Sequence, residues 1–224
     1  MFLRIPQLLN AEQLAEIDAV LAGAGFVDGR LTAGETGRKA KNNRQADPAA
    51  SPGHEAIGTL VMSALAGNAL VRATLLPVKI VPPTFSKYEP GMTYDWHTDY
   101  PVMTVGPMVR TDISVTVFLS DPESYVGGEL IVRTSAGEAK FKLPRGSAVA
   151  YPATTMHRVA EVSSGERLAA ITWMQSMIAD GDRRELLHDL DTAYRLSAQR
   201  APDGQETRLL LKSYANLVRM WADL

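Results

Sequence analysis

The spacing of apolar residues changes twice along this chain and divides it into three stretches. Up to about residue 76 the spacing is helical. Leu14, Ile17 and Leu21 recur after Asn10-Ala11-Glu12-Gln13, where a capping side chain precedes a glutamine by three, and Gly23 and Gly25 follow. This predicts a helix over roughly 11–24. Ser51-Pro52 reads as an N-cap with proline at the first helical position, and Ile57, Leu60, Val61, Ala64 and Leu65 form the stripe of a second helix over roughly 52–66. Between them, 26–31 is a candidate short strand. Residues 32–50 are crowded with Gly, Thr, Lys, Arg and Asn, including Arg38-Lys39-Ala40-Lys41-Asn42-Asn43-Arg44. They read as a loop, solvated on charge alone or else lying over the mouth of a site.

From residue 77 short β-rich runs alternate with Gly, Pro and Asp, the pattern of an all-β sandwich or barrel. Strands are expected near 78–88, 93–97, 112–119, 129–134, 138–143, 147–151, 157–162 and 166–177. In 112–119, Ile113, Val115, Val117 and Leu119 share one face and Ser114 and Thr116 the other, so one face packs on a core while the other can line a polar cavity. Gly127-Gly128 suggests a tight turn and Ser135-Ala136-Gly137-Glu138 a hairpin. After about 178 the helical period returns. Leu187, Leu190 and Tyr194 mark one helix, Ala201-Pro202-Asp203-Gly204 a turn, and Leu210, Tyr214, Leu217, Val218 and Trp221 another. The expected organisation is 1–76 as N-terminal helices and basic loop packed on the barrel, 77–178 as the barrel, and 179–224 as a C-terminal helical hairpin. That hairpin could pack on the barrel or on another subunit, which makes a homodimer an expectation.

At 224 residues the chain suits one domain with additions, and 46% hydrophobic against 21% charged residues argue against disorder. With 23 basic and 25 acidic residues the net charge of −2 offers no footprint for nucleic acid. The absence of cysteine excludes disulfides, thiolate metal sites and cysteine nucleophiles, and suits a reducing cytoplasm. No unbroken apolar stretch approaches eighteen residues and the start carries no leader pattern, so the chain reads as cytoplasmic, with no membrane partner.

The candidate chemistry centres on Tyr94-Asp95-Trp96-His97-Thr98-Asp99. On an extended strand residues i and i+2 share a face, which would point the His97 imidazole and the Asp99 carboxylate together. A third ligand must come from His54, His157 or His188. His54 falls in a first helical turn and reads as exposed, and His188 is one of several polar residues on a helix. His157 opens a late strand and can face His97 across a barrel mouth. Two histidines and one carboxylate, with the other metal positions open, is the arrangement of non-haem Fe(II) oxygenases. Ten residues on, Arg167 heads the apolar run 168–173. A buried arginine needs a carboxylate, and a dicarboxylate ligand would supply it bidentately; the other course is an arginine turned to solvent.

Tyr88, Gly91, Tyr94, His97 and Asp99, then Gly127-Gly128-Glu129-Leu130, Tyr151-Pro152, His157 and Arg167, resemble the Fe(II)- and 2-oxoglutarate-dependent oxygenases of the prolyl 4-hydroxylase type. With Arg110-Thr111-Asp112-Ile113-Ser114 and Trp173-Met174-Gln175-Ser176-Met177 added, the chain is similar over its whole length to the bacterial PKHD-type hydroxylases. The resemblance implies an α+β fold, a double-stranded β-helix (jelly-roll) barrel with N-terminal helices on it and a C-terminal helical hairpin. It implies that His97, Asp99 and His157 hold Fe(II), that Arg167 grips the distal carboxylate of 2-oxoglutarate, that Tyr88 lines the co-substrate pocket and that Trp173 lies near the metal. O2 is then the co-substrate and ascorbate a reductant. The reaction is hydroxylation of a small-molecule or peptide substrate with release of succinate and CO2.

Tyr94, Arg110 and Tyr100 are candidate substrate contacts, although Arg110 could instead pair with Asp112 or Glu129. The chain departs from the family pattern at Tyr100-Pro101 and at Val132-Arg133-Thr134-Ser135, both flanking the pocket. Residues 32–50 and 100–109 are the candidates for a lid. Two other readings compete: a non-catalytic metal- or metabolite-binding jelly roll that senses iron or oxygen, and a cupin-like metalloenzyme without 2-oxoglutarate. A buried Arg167 beside the metal would favour the dicarboxylate.

Overall fold

The alternation in Ile113–Phe118 sets the architecture, because it gives the central strand of the larger sheet one face for helices and one for a cavity. The computed structural model describes residues 1–32, 35–104 and 108–223. Residues 33–34 and 105–107, which belong to the two stretches expected to form a lid, lie outside the described residues, as does residue 224. The larger sheet runs Leu3–Ile5, Ala148–Pro152, Ile113–Phe118, Arg167–Ser176, Thr84–Tyr88, Arg44–Ala46, Phe26–Asp28, and Pro77–Ile80 joins the far end of Arg167–Ser176. The smaller sheet runs Gly137–Phe141, Leu130–Thr134, His157–Val159, Thr93–His97, Lys41–Asn42.

Helices cover one face of the larger sheet. Ile17 and Leu21 from Ala11–Ala22, Ile57, Val61 and Leu65 from His54–Gly67, and Val71 and Leu75 from Ala69–Leu75 meet Ile113, Val115, Val117, Phe85, Ala170 and Met174 in one buried cluster. Each such side chain contributes roughly 1.5–3 kcal/mol when fully buried. The other face meets the smaller sheet, where Phe118, Val149 and Tyr151 pack against Leu130, Val132 and Phe141. Two antiparallel sheets closed face to face in this way make a jelly roll, with Gly181–Arg200 and Gln205–Trp221 as the C-terminal helical pair.

Local chemistry accounts for the boundaries. Asn10 and Gln13 form a reciprocal capping box at the start of Ala11–Ala22. The second helix begins at His54 with Gly53 as its N-cap, two residues after the expected Ser51. Asn68 caps a further helix, Ala69–Leu75, which the apolar spacing did not announce. The strand expected at 78–88 breaks at Val81-Pro82-Pro83, since proline cannot donate to the ladder. The largest departure lies in 32–50: Lys41–Asn42 pairs with Thr93–His97, and Arg44–Ala46 pairs with Thr84–Tyr88. The supposed loop therefore supplies a strand to each sheet and crosses between them.

Gly127 and Gly128 both take positive φ, at +77° and +67°. A Cβ at Gly127 would stand 2.0 Å from the Glu161 carbonyl oxygen. At Gly128 it would stand 3.0 Å from Arg167 Cδ, so this turn makes the room that the Arg167 stem occupies. Gly127→Ala is expected to cost about 2 kcal/mol or more in a denaturant melt, combining the left-handed penalty with a clash against backbone. A melt unchanged from wild type would contradict that packing.

Candidate metal centre

His97 owes its aim to a β-bulge. It pairs with His157 and Tyr94 pairs with Val159, so the ladder slips between them and Asp95-Trp96 take up the extra length. Tyr94 and His97 consequently share the inward face and their rings stack, with centroids 3.6 Å apart and planes at 11°. The Asp95 carbonyl accepts the His97 Nδ1 proton at 2.7 Å, and the Thr155 carbonyl accepts that of His157 at 2.9 Å. A carbonyl can only accept, so both rings carry a proton on Nδ1 and turn Nε2 to the cavity. Burial, and then the neighbouring His157, hold His97 down to about 4, which keeps its ring neutral and ready to ligate.

Asp99 reaches the same point by a different route from the expected alternation. The strand ends at His97, and Asp99 stands in the irregular segment beyond it. Its Oδ2 accepts a hydrogen bond from Ser114 Oγ on the inward face of Ile113–Phe118 and lies 3.7 Å from His157 Nε2. The three side chains can each offer one ligand atom, with all three atoms within 4.8 Å of one another. His157 is buried, with Tyr151 edge-on at 5.1 Å between ring centroids. An open-sided set of two imidazoles and a carboxylate suits Fe(II) with positions left for other ligands.

Arg167 faces inward and is 1% exposed. It pairs in register with Tyr88, and its guanidinium lies over the Tyr88 ring at 5.1 Å and the Phe118 ring at 5.8 Å. None of its three nitrogens makes a hydrogen bond of ordinary geometry, and among the described residues no carboxylate lies within ion-pair distance. The Tyr125 hydroxyl is close enough for the guanidinium to favour its ionised form against the larger upward push of burial, yet it does not satisfy the nitrogens. A buried cation left in this state is costly until an anion arrives. A planar, five-donor guanidinium fits a carboxylate bidentately, so these residues fit 2-oxoglutarate. Trp173 is cross-strand to Ser114 on the same inward face, and its buried Nε1–H also lacks a partner.

The remaining expected residues fall out differently. Tyr94 is a stacking partner of His97, and burial followed by the charge of Asp99 raises its hydroxyl pKa. Tyr100 is 70% exposed beside Asp99, while its carbonyl accepts from Thr111 Oγ1. Arg110 takes its alternative course. Its guanidinium binds the carboxylates of Asp112 and Asp223 and the Ser176 carbonyl. His54 is half-buried, edge-on to Phe85, rather than exposed, and His188 bonds Thr74 Oγ1. Three residues near the site were given no role by the sequence: Ser114, whose place on the polar face was the available signal, Tyr151, which appeared only within a motif, and Lys41. Lys41 is 8% exposed with its ammonium 5.4 Å from the Tyr94 ring centroid.

Comparison with known proteins places this arrangement. The model of the 2OG-Fe(II) oxygenase superfamily matches residues 83–175, and that of the PKHD-type hydroxylase C-terminal domain matches 180–223. A PKHD-type hydroxylase of Picosynechococcus sp. is 42% identical over 223 residues, covering all of both chains. Among solved structures, a prolyl-4-hydroxylase of Pseudomonas putida has a TM-score of 0.51 at 18% identity, covering 78% of this chain and 92% of its own. HygX from Streptomyces hygroscopicus, solved with nickel, 2-oxoglutarate and hygromycin B bound, has a TM-score of 0.52 at 15% identity, covering 78% of this chain and 82% of its own. No single helix among the described residues is long and apolar enough to cross a membrane.

Proposed function

The chain belongs to the PKHD-type hydroxylases of the 2OG-Fe(II) oxygenase superfamily, and from that premise we propose which of its residues do the work. It is an Fe(II)- and 2-oxoglutarate-dependent dioxygenase that hydroxylates a substrate. His97, Asp99 and His157 hold the iron, Arg167 takes the distal carboxylate of 2-oxoglutarate, and Tyr88 and Trp173 wall the co-substrate pocket. When bound, the metal would supply the oxidative chemistry that turns 2-oxoglutarate, O2 and the substrate into succinate, CO2 and the hydroxylated substrate, one oxygen atom going to succinate and the other to the product.

The chain's own share is orientation and shielding. The Asp95 and Thr155 carbonyls fix the tautomers of the two histidines, and Ser114 holds the Asp99 carboxylate. The stacked Tyr94 fixes the plane of His97, and the buried faces of Tyr88, Phe118 and Tyr151 exclude water. Ascorbate serves as the reductant that keeps the iron ferrous, and the cytoplasm is the compartment that suits a chain without cysteine.

The observation that carries the co-substrate assignment is the buried, unpartnered guanidinium of Arg167 on the same inward face as Ser114 and Trp173. A sensor that bound only a metal would have no use for it, and neither would a metalloenzyme working without a dicarboxylate. Titration of the purified chain with Fe(II) under argon, then with 2-oxoglutarate, tests the reading. It should take up one metal per chain, bind 2-oxoglutarate far more tightly once metal is present, and form succinate only after O2 is admitted. Equal 2-oxoglutarate binding with and without metal would refute it.

A further inference from the structure

Lys41 is the second buried cation of this pocket, and nothing in the iron or co-substrate chemistry uses it. It sits at the edge of the smaller sheet, opposite Tyr94 in register. Residues 41–45 alternate buried and exposed, so Lys41, Asn43 and Gln45 turn inward while Asn42 and Arg44 turn out. The Lys41 ammonium has one hydrogen bond, to Thr32 Oγ1 at 3.1 Å, and no carboxylate among the described residues stands within ion-pair distance. Burial pulls the Lys41 pKa down to about 8, while the charges of Asp99 and Asp28 and the face of Tyr94, the ring stacked on His97, favour the ammonium. An ammonium carries three donors, so two have no hydrogen-bond partner among the described residues. Two residues on, the Asn43 side chain is 3% exposed and neither its amide nitrogen nor its carbonyl oxygen makes a hydrogen bond of ordinary geometry, although the Tyr88 hydroxyl lies near enough to interact with it.

Buried polar groups are ordinarily satisfied, so this cluster beside the metal centre is a receptor that lacks its guest. The charge balance says what the guest is. A divalent metal together with Arg167 and Lys41 faces Asp99 and the two carboxylates of 2-oxoglutarate, and Asp28, the other carboxylate that acts on Lys41, is held by Arg30, so among the described residues one positive charge is left uncompensated.

We propose that Lys41 is a specificity-determining residue that recognises a carboxylate of the molecule to be hydroxylated, with Asn43 supplying a donor or an acceptor beside it. The substrate class is thus a monocarboxylate, held by an ammonium reached past Tyr94 on the His97 side of the pocket. The inference rests on the proposed function, whose own readouts are metal content and 2-oxoglutarate binding.

The test uses the full chain loaded with Mn(II) and 2-oxoglutarate. The probes are three matched pairs: benzoate and benzamide, phenylacetate and phenylacetamide, hippurate and hippuramide. Binding is read from line broadening of the probe by the paramagnetic metal. At least one carboxylate is expected to bind about tenfold or more tighter than its amide, the loss anticipated for one charge-assisted hydrogen bond. Lys41→Met should bring the carboxylate down to the level of the amide, and Lys41→Arg should retain the preference. Lys41→Met is isosteric and removes a buried charge that has no ion-pair partner among the described residues, so it should melt no lower than wild type.

No preference for any carboxylate in the wild type, or a preference that survives Lys41→Met, overturns the proposal. So does a weakened binding of 2-oxoglutarate itself in Lys41→Met, which would assign the ammonium to the co-substrate. A wild-type chain that takes up no metal would fail the proposed function first, and the two failures are therefore told apart.

Discussion

Arg167→Met should raise the 2-oxoglutarate concentration needed for half-maximal succinate formation by about a hundredfold or more, while leaving the melting temperature equal or higher. The first half follows from the loss of a bidentate pair. Each hydrogen bond to a charged group contributes about 1.5–3 kcal/mol, and two of them make about two to four powers of ten in affinity. The second half is the less intuitive and the more discriminating. In a structural ion pair, removing the arginine would strand a buried carboxylate and destabilise the fold by about 3–5 kcal/mol. Arg167 has no such carboxylate beside it among the described residues, so methionine strands nothing there and removes a desolvated charge from a position 1% exposed. Steady-state succinate assays and thermal melts on the same preparation check both halves. An unchanged 2-oxoglutarate requirement would sink the assignment.

His97→Ala and Asp99→Ala should each abolish iron-dependent succinate formation and lower metal affinity by more than about a hundredfold, since losing a partner outside the ligand shell already costs about 10–100-fold. The two substitutions differ in what remains. Without His97, Tyr94 loses the ring it stacks on, and Asp99 and His157 remain as a two-donor site. Without Asp99, two imidazoles face a dication with no anionic side-chain ligand, and Ser114 Oγ loses its acceptor. Metal content after dialysis, measured beside turnover, checks the expectation. Full turnover of 2-oxoglutarate in Asp99→Ala would refute the triad.

Much of this was legible because it depends on local periodicity. The alternation of Ile113, Val115, Val117 with Ser114, Thr116 predicts both a helix-facing side and a polar cavity, and Ser114 indeed meets Asp99 there. The Asn10–Gln13 spacing predicts the capping box that is present. What was not legible depends on partners distant in sequence. Lys41 looks solvated in a run of Arg, Lys and Asn, and only its pairing with Tyr94 in another strand buries it. The i, i+2 argument brought His97 and Asp99 together, as the structure does, but for the wrong reason. It assumed a regular strand through Asp99, whereas a bulge at Asp95-Trp96 re-aims His97 and the chain leaves the sheet before Asp99. Arg110 matches the family motif yet closes an ion-pair network with Asp112 and Asp223, whose last member lies 111 positions beyond Asp112 and was invisible to local reasoning.

The crossing segment 41–46 bears on how the barrel could be cut. Thr93–His97 would be the open margin of the smaller sheet were Lys41–Asn42 not paired to it, and Thr84–Tyr88 would be left part-bare on the larger sheet without Arg44–Ala46. A fragment begun at residue 77 would therefore display unpaired backbone amides and carbonyls on both margins, with the metal-bearing strand as one of them. Strands in that condition recruit other chains. The first 76 residues are in this sense a stopper against self-association, and the stretch that shields the barrel from other proteins is the one that also lines its pocket.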